Sequence, residues 1–478
     1  MDGYEYSDFT QPQKITQQTL AAVTDQATTC ARLPTLPWPS NSAINRTDRK
    51  KFSESVFPLN SAAPGSSSPL PAFEHQDDIF SSAFSILRNA IATRTFPGAS
   101  LAVTHQGRLV ALKAAGQLIY ESDAGAPPFS RALGEGGDLA VRPATLFDLA
   151  SVTKVVATTA MSMLVYERGL LDLDAPVAAM VPEFISASPE TKQDLRRREV
   201  TLRMLLAHSS GLPGYERLFV KARTGADLLH AALAMSLATD PGQRAEYSDI
   251  GFIILGVALE RLANESLDRF CQREVFGPLG MTSTTYNPTP EQRKNIPPTA
   301  NECRANTPVR EKPKSQPSAG VKENPALSQS STFRGRIIQG EVQDENASVL
   351  GGIAGHAGLF ATAEDVARFA HCILNGGAPI LRPETVARFT RRESSPEGTS
   401  RALGWDTPSP PSQSGKYFSS SSFGHLGYTG TSLWIDPERQ LSITLLTNRT
   451  WPDCANDAIK QLRPNFYDAV IEALDKSA

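Results

Sequence analysis

Strand-like patterns lie near both ends of this 478-residue chain, and helical patterns lie between them. Residues 99–104 and 108–114 alternate around a short Gly-containing turn, which predicts a β-hairpin. Residues 432–436 and 441–447 predict a second hairpin near the C-terminus. This order of elements favours one mostly antiparallel sheet that is built from the N- and C-terminal segments.

The middle of the chain carries apolar residues at spacings of three and four, which predicts helices. These helices are predicted at 155–169, 201–207, 226–238 and 249–263. A further helix is expected over 79–91, and a closing helix over 455–474 with an interruption near Pro464. The predicted fold class is therefore α/β (α+β), with an antiparallel sheet flanked by terminal helices and an inserted helical lobe.

Composition along the chain suggests where these parts begin and end. Residues 1–75 form a polar leader rich in Ser and Pro, which we expect to be flexible. Residues 76–155 and 341–478 are assigned to the sheet domain, and residues 156–340 to the helical lobe. Within the lobe, the Pro-, Lys- and Ser-containing stretch 303–331 is predicted to be an exposed insertion.

Charge and apolar content narrow the classes of partner. The chain carries 47 Lys and Arg residues against 50 Asp and Glu residues, a net charge of −3, so it lacks the basic excess typical of nucleic-acid binding. Its most apolar stretches, around 155–166 and 250–259, are too short or too polar for the ~20 residues that a membrane helix needs. We therefore expect neither a nucleic acid nor a membrane as a partner, and the sequence leaves the oligomeric state open.

Cysteine usage and the N-terminus bear on the compartment. The five cysteines are far apart and include no C-x-x-C pair, which favours neither a disulfide framework nor a structural zinc site. The N-terminus is acidic and lacks the basic and apolar regions of a secretory signal. These features predict a cytoplasmic protein without a cofactor. No two histidines show the spacing of a helical zinc site, so no metal is expected.

The strongest local signal is the pair Ser151 and Lys154 at the start of a predicted helix. A spacing of three places both side chains on one helix face, where the amine can accept the proton of the hydroxyl. The positive end of the helix dipole and the apolar neighbours both disfavour an ammonium there. No other serine stands three residues before a lysine. A solvated Ser and Lys on an ordinary helix is the alternative reading.

Two further segments could contribute to the same site. In Glu246-Tyr247-Ser248-Asp249, a tyrosine and a polar residue two positions later can face one cleft, although a simple helix cap is the alternative. In the stretch 423–437, glycines precede an apolar strand whose backbone N–H groups could face a substrate carbonyl. A Gly-rich turn without a function is the alternative for this stretch.

In this order, the three elements resemble the S-x-x-K, Y-x-N and K-T-G-like motifs of the penicillin-binding-protein and class C β-lactamase superfamily of serine hydrolases. The resemblance spans roughly residues 80–475. It extends to the stretches 205–213, 351–360 and 424–437, which are typical of the esterase and peptidase-like branch. It implies a β-lactamase/transpeptidase-like fold and a small-molecule acyl substrate.

The resemblance also assigns roles to residues of this chain. It makes Ser151 the nucleophile, Lys154 its base and Tyr247 the relay of protons to the leaving group. His425 takes the place of the third-motif lysine, and the backbone N–H groups of Ser151 and Tyr428 would form the oxyanion hole.

Two departures from the family pattern affect the expected substrate. Asp249 stands where the family often has Asn, and His425-Leu426-Gly427 stands where it has Lys-Thr-Gly. We expect Asp249, His425 and Gly427 to contact the substrate. Because both changes weaken recognition of a carboxylate, they favour ester or small-amide hydrolysis over β-lactam hydrolysis or transpeptidation.

Two alternatives to a hydrolase remain open. An acyltransferase would use the same Ser-Lys-Tyr site with an alcohol or amine in place of water. A non-catalytic sensor or binding module would keep the acylable serine without turnover. Glu364 and Asp365, which follow Thr362, are expected to lie at a helix N-terminus and not to act as the deacylating base.

Overall fold

The computed structural model describes residues 75–120, 138–302, 333–410, 412–452 and 454–477. Apart from its last residue, the predicted leader 1–75 lies outside the described residues. The predicted insertion 303–331 lies outside them as well.

Five of the described strands form one antiparallel sheet, in the order β2-β1-β10-β9-β8. The strands of this sheet are β1 (Gly98–His105), β2 (Arg108–Gly116), β8 (Phe423–Leu426), β9 (Ser432–Asp436) and β10 (Leu441–Thr447). The pairing of β1 with β10 joins the two ends of the chain, with Ala99 opposite Thr447. The predicted α/β (α+β) fold with a sheet made from both terminal segments is therefore confirmed.

Helices cover both faces of this sheet. The α-helices of the described residues are α1 (Gln76–Ile79), α2 (Ser81–Ala92), α3 (Ala160–Glu167), α4 (Val177–Met180), α5 (Glu183–Ser186), α6 (Pro189–Gln193), α7 (Leu202–Leu206), α8 (Gly225–Leu233), α9 (Asp249–Ala263), α10 (Leu267–Cys271), α11 (Pro290–Arg293), α12 (Glu345–Val349), α13 (Ala363–Leu374), α14 (Pro383–Thr390) and α15 (Ile459–Ser477). Helices α2 and α15 pack on one face and α13 on the other, so every residue of β9 and β10 is buried.

The closing helix differs from its prediction. Helix α15 begins at Ile459, four residues later than expected, and runs without a break through Pro464. The predicted interruption is wrong: the helix continues although Pro464 cannot donate one intrahelical hydrogen bond.

Tighter and wider helical segments, together with short strands, connect these parts. The 3₁₀ segments are Ala150–Val152, Leu195–Arg198 and Leu218–Val220, and the π-helical segments are Lys154–Thr159 and Gln272–Phe276. The short strands are β3 (Phe147–Asp148), β4 (Thr285–Tyr286), β5 (Pro298–Asn301), β6 (Ile337–Gln339) and β7 (Leu359–Ala361), in the orders β3-β7-β4 and β5-β6. Within the described part of the chain, no helix is both long and apolar enough to cross a bilayer.

A close approach of two glycines sets the distance between α9 and the loop that precedes β7. A Cβ atom on Gly256 of α9 would lie 3.2 Å from the backbone nitrogen of Gly355. The loop cannot withdraw freely, because the Gly355 carbonyl also accepts a hydrogen bond of 2.6 Å from Thr158 Oγ1. Glycine at both positions therefore lets the loop lie directly against the helix.

We predict that the free energy of unfolding of the Gly256→Ala variant is about 1–3 kcal/mol lower than that of the Gly251→Ala variant, because the added methyl group overpacks the contact. Gly251 lies in the same helix, but its Cβ would meet its nearest neighbour at 3.5 Å, an ordinary contact. Both changes gain similar helix propensity, so the difference isolates the contact. Urea denaturation measures it, and equal free energies for the two variants would contradict this account.

Candidate active site

Ser151 lies at a tight junction between a strand and a helix. Strand β3 ends at Asp148, and Ser151 sits in the 3₁₀ segment that follows. Ala150 adopts a φ of +46°, a left-handed conformation that costs a non-glycine residue roughly 1–2 kcal/mol. The helix then starts with a π-helical turn at Lys154, a rare geometry that often marks functional sites. The serine is therefore held by a locally unfavourable backbone.

Lys154 lies directly beneath the serine hydroxyl, and its side chain is fully buried. Its Nζ lies 3.0 Å from Ser151 Oγ, 2.6 Å from Asp249 Oδ1 and 2.9 Å from the carbonyl oxygen of His356. A carbonyl oxygen can accept a hydrogen bond but cannot donate one, and the same holds for an ionised carboxylate. When the amine is neutral, its two N–H bonds satisfy these acceptors and its lone pair is left for the Ser151 hydroxyl proton.

Burial and the Asp249 carboxylate shift the pKa of Lys154 in opposite directions. Burial lowers the pKa of the amine, because a charged ammonium loses its hydration there. The Asp249 carboxylate works against burial and raises the pKa, but the net direction is downward. A lowered pKa increases the fraction of the neutral amine that a general base needs.

Tyr247, which lies just before α9, contacts the serine. Its hydroxyl donates a hydrogen bond of 2.7 Å to Ser151 Oγ. Burial, with the Asp249 carboxylate adding to it, raises the pKa of Tyr247 well above its usual range, so the side chain stays a phenol at neutral pH. The group that faces the serine oxygen is therefore a proton donor.

The position of Tyr247 is fixed by the start of α9. Ser248 caps this helix by accepting a 2.9 Å hydrogen bond from Gly251 N, and its own N–H donates to His208 Nδ1 at 3.0 Å. The His208 ring lies between Tyr247 and Phe252, at centroid distances of 4.7 and 4.9 Å. The helix cap and the site tyrosine thus occur together, so the two readings of this segment are compatible.

Asp249 is oriented toward the lysine. Asp249 is the first residue of α9, and its side chain, 13% exposed, places Oδ1 2.6 Å from Lys154 Nζ. The carbonyl that also binds the lysine belongs to His356, whose ring bonds Asp344 through Nε2 at 2.9 Å. The contact of Asp249 with a substrate stays a prediction.

The third motif borders the nucleophile through its turn. Thr429 Oγ1 and Thr431 Oγ1 donate 2.8 Å hydrogen bonds to the carbonyls of Asp148 and Leu149, just before Ser151. A Cβ on Gly427 would lie 2.6 Å from the Leu149 carbonyl, so only glycine allows this approach. Tyr428 follows in the same turn, and its predicted place in the oxyanion hole stays a prediction.

His425 lies in β8, and its ring centroid is 5.8 Å from that of Tyr247. Its Nδ1 donates to the Leu426 carbonyl at 2.8 Å, and its Nε2 is buried without a hydrogen-bond partner among the described residues. Burial first, and then the nearby Arg401 guanidinium among other charges, lower the pKa of His425 well below its usual range. The ring beside Tyr247 is therefore neutral at neutral pH.

Some of the groups around the site carry no sequence signal. Arg401 places its guanidinium carbon 5.6 Å from the centre of the Tyr247 ring, and its Nη1 lies 3.5 Å from Asp406 Oδ1. It belongs to none of the three motifs. The His356 carbonyl could not be found either, because a backbone acceptor leaves no trace in residue type.

The groups around Ser151 can support attack of its hydroxyl on a carbonyl. One serine oxygen lies between a buried amine and a phenol donor, which are the groups that a serine needs to attack a carbonyl and release a leaving group. The three predicted residues from two distant parts of the chain are thus brought together within hydrogen-bond distance.

Comparisons with known proteins show the family of the chain. The chain belongs to the beta-lactamase family, whose model matches residues 84–463. It is 31% identical over 342 residues to a protein of Escherichia coli named putative D-alanyl-D-alanine carboxypeptidase. This match covers 68% of this chain and 73% of the relative. It is 32% identical over 378 residues to N-acetylmuramyl-L-alanine amidase of Bacillus subtilis, covering 74% of this chain and 77% of the relative.

Solved structures show the same fold. The structure of EstCE1, described as a hydrolase with promiscuous acyltransferase activity, matches with a TM-score of 0.61 and 21% identity, and covers 82% of this chain and 99% of that one. The expected resemblance to penicillin-binding proteins and β-lactamases is confirmed, and the members of this family are serine hydrolases.

We predict that Asp249→Asn moves the acidic limb of Ser151 reactivity to lower pH. The carboxylate raises the pKa of Lys154, so its removal lowers that pKa further and the neutral amine persists at more acidic pH. A neighbouring opposite charge typically shifts a pKa by ~1–3 units. The rate of Ser151 labelling by a fluorophosphonate across pH measures the limb, and a limb that stays in place or moves upward would contradict the assignment.

Proposed function

We propose that this protein hydrolyses ester or small-amide bonds of a small-molecule acyl substrate through an acyl-enzyme on Ser151. One observation carries the proposal: the Ser151 oxygen is bonded at once by the buried Lys154 amine and by the Tyr247 phenol. An ordinary surface serine would have neither partner, and an ordinary lysine would not be fully buried.

In the acylation step, Ser151 Oγ attacks the substrate carbonyl while its proton passes to the neutral Lys154 Nζ. The new C–O bond converts the carbonyl into a tetrahedral oxyanion, which the backbone N–H groups of Ser151 and Tyr428 stabilise. When the intermediate collapses, the bond to the leaving group breaks and the Tyr247 hydroxyl supplies the proton that the leaving group takes. Lys154 then passes the proton that it took from Ser151 to the Tyr247 oxygen, so both groups end as they began.

Deacylation follows the same route in reverse. A water molecule takes the place of the leaving group and attacks the acyl carbonyl, and its proton passes by way of Tyr247 to the neutral Lys154 amine. When the intermediate collapses, the Ser151 oxygen leaves and takes this proton from Lys154, which releases the acid. Asp249 and the His356 carbonyl hold the amine in place throughout, because both contacts are to the Lys154 nitrogen itself.

The relatives favour amide bonds among the candidate substrates. The two similar proteins are named as a carboxypeptidase and an amidase, both of which cleave amides. In this chain the neutral His425 replaces the third-motif lysine that could bind a carboxylate. Together with the acidic Asp249, this favours substrates whose binding does not depend on a carboxylate. A short acyl ester is the simplest probe, because it needs only the acylation machinery.

We predict that Ser151→Ala abolishes turnover of a p-nitrophenyl ester and that Lys154→Ala slows acylation by roughly 10²–10⁴-fold, the usual contribution of a general base. Ser85→Ala is the control, because Ser85 is exposed on α2. Intact mass after brief exposure should show one acyl group on the peptide that contains Ser151. Full turnover in the Ser151→Ala variant would reject the assignment.

The same assay separates the two alternative functions. A stoichiometric burst followed by no further turnover would favour a sensor or binding module. A large yield of transfer product in the presence of an added alcohol or amine would favour an acyltransferase. Continued release of the free acid supports the hydrolase.

A further inference from the structure

A carboxylate outside the three motifs lies directly before the nucleophile. Asp148 is the last residue of β3, three positions before Ser151, and it is only 2% exposed. Within the described residues, no ion pair involves its carboxylate. Its two oxygens instead accept hydrogen bonds from the backbone: Oδ1 from Ala150 N at 2.8 Å and Oδ2 from Gln343 N at 2.6 Å.

These two bonds join the nucleophile turn to a segment that is distant in sequence. Gln343 precedes Asp344, the residue that bonds the ring of His356. The carbonyl of His356 in turn accepts a hydrogen bond from Lys154. One carboxylate therefore ties the serine side of the site to the chain that supports the lysine.

The bond to Ala150 falls where the backbone needs support. Ala150 has a φ of +46°, and alanine relaxes readily from this conformation to a negative φ. Such a rotation would turn the peptide between Ala150 and Ser151, and with it both the Ser151 hydroxyl and the Ser151 N–H. The Asp148 acceptor holds the Ala150 N–H, and with it the peptide plane on one side of this rotatable bond, which restrains the turn.

We propose that Asp148 is a positioning residue for the acylation reaction, because its carboxylate holds the left-handed turn at Ala150 and so fixes the direction of the Ser151 hydroxyl and N–H. The inference rests on the proposed function of Ser151 as the nucleophile. Asp148 itself does not touch the reacting atoms.

The surroundings of Asp148 disfavour its ionised form. Burial raises the pKa of Asp148 to about 6, even though its two backbone hydrogen bonds lower it, and Asp344 adds to the rise while Arg334 opposes it. A folded pKa above the unfolded value means that this group favours folding below its unfolded pKa and loses that contribution as pH rises to about 6. At neutral pH the ionised carboxylate thus works against folding.

The test compares Asp148→Asn with Asp365→Asn. Asparagine keeps the size of the side chain but offers only one acceptor oxygen, so one of the two N–H groups faces an amide donor. Asp365 is the control. It is also buried, and its Oδ2 alone accepts hydrogen bonds from Ser283 N at 2.9 Å and Thr284 Oγ1 at 2.8 Å, with no hydrogen bond to the site residues. Burial raises its pKa as well.

We expect Asp148→Asn to lower kcat for a p-nitrophenyl ester and the rate of fluorophosphonate labelling by about 100-fold, the effect of a small misplacement of a reacting group. KM should stay within about threefold and the melting temperature at pH 7.5 close to that of Asp365→Asn, whose labelling rate stays near that of the wild type. A structural role alone would lower stability without this split. Labelling of Asp148→Asn at the wild-type rate would overturn the inference.

A second variant reads the turn itself. Glycine adopts a positive φ without strain, so Asp148→Asn combined with Ala150→Gly should recover about tenfold of the lost labelling rate. A double variant no faster than Asp148→Asn would show that the turn at Ala150 is not what the carboxylate controls, and would overturn the proposal.

The two proposals fail in different ways. Ester turnover that persists in Ser151→Ala rejects the proposed function, whatever the effect of Asp148→Asn. Turnover and labelling that depend on Ser151 but not on Asp148 reject only the positioning role. A wild-type Ser151 that resists the fluorophosphonate overturns both.

Discussion

The contacts of the Lys154 amine are the constraint on which the rest of the site depends. A buried lysine is costly unless its surroundings satisfy it, and here a carboxylate, a carbonyl and the serine hydroxyl surround the nitrogen. These partners come from α9, from the loop before β7 and from the nucleophile turn. The site therefore exists only when these three parts of the fold meet, and the close approach of Gly256 and Gly355 is one condition for that meeting.

The fold places this buried amine at the junction of its parts. The sheet is assembled from both ends of the chain, so β8 and the turn that follows it come to lie beside the segment that leads into Ser151. The chain between these two parts of the sheet supplies Tyr247 and Asp249, which lie close to the start of the buried helix α9. Side chains that are far apart in sequence are thus carried by the starts and ends of rigid elements, which keeps them at fixed distances from the Ser151 hydroxyl.

Much of this was predictable from local patterns, and what was missed has physical reasons. Helix α9 and the C-terminal hairpin match their predicted bounds, because periodicity and turn residues specify them locally. The helix predicted at 226–238 instead ends at Leu233. At this end, the buried Arg197 guanidinium donates hydrogen bonds to the carbonyls of Leu233 and Met235. The His356 carbonyl and the Ala150 turn were likewise hidden, since backbone contacts made by folding leave no mark on residue type.

The central claim is that Lys154 is poised as a neutral amine, and NMR of isotope-labelled lysine side chains tests it most directly. Comparison with a Lys154→Arg variant assigns the Lys154 signal, and a pH titration follows its change from ammonium to amine. The account predicts that Lys154 titrates clearly below the ~10.4 of an unperturbed lysine. A Lys154 signal that remains that of an ammonium until the exposed lysines titrate would contradict it.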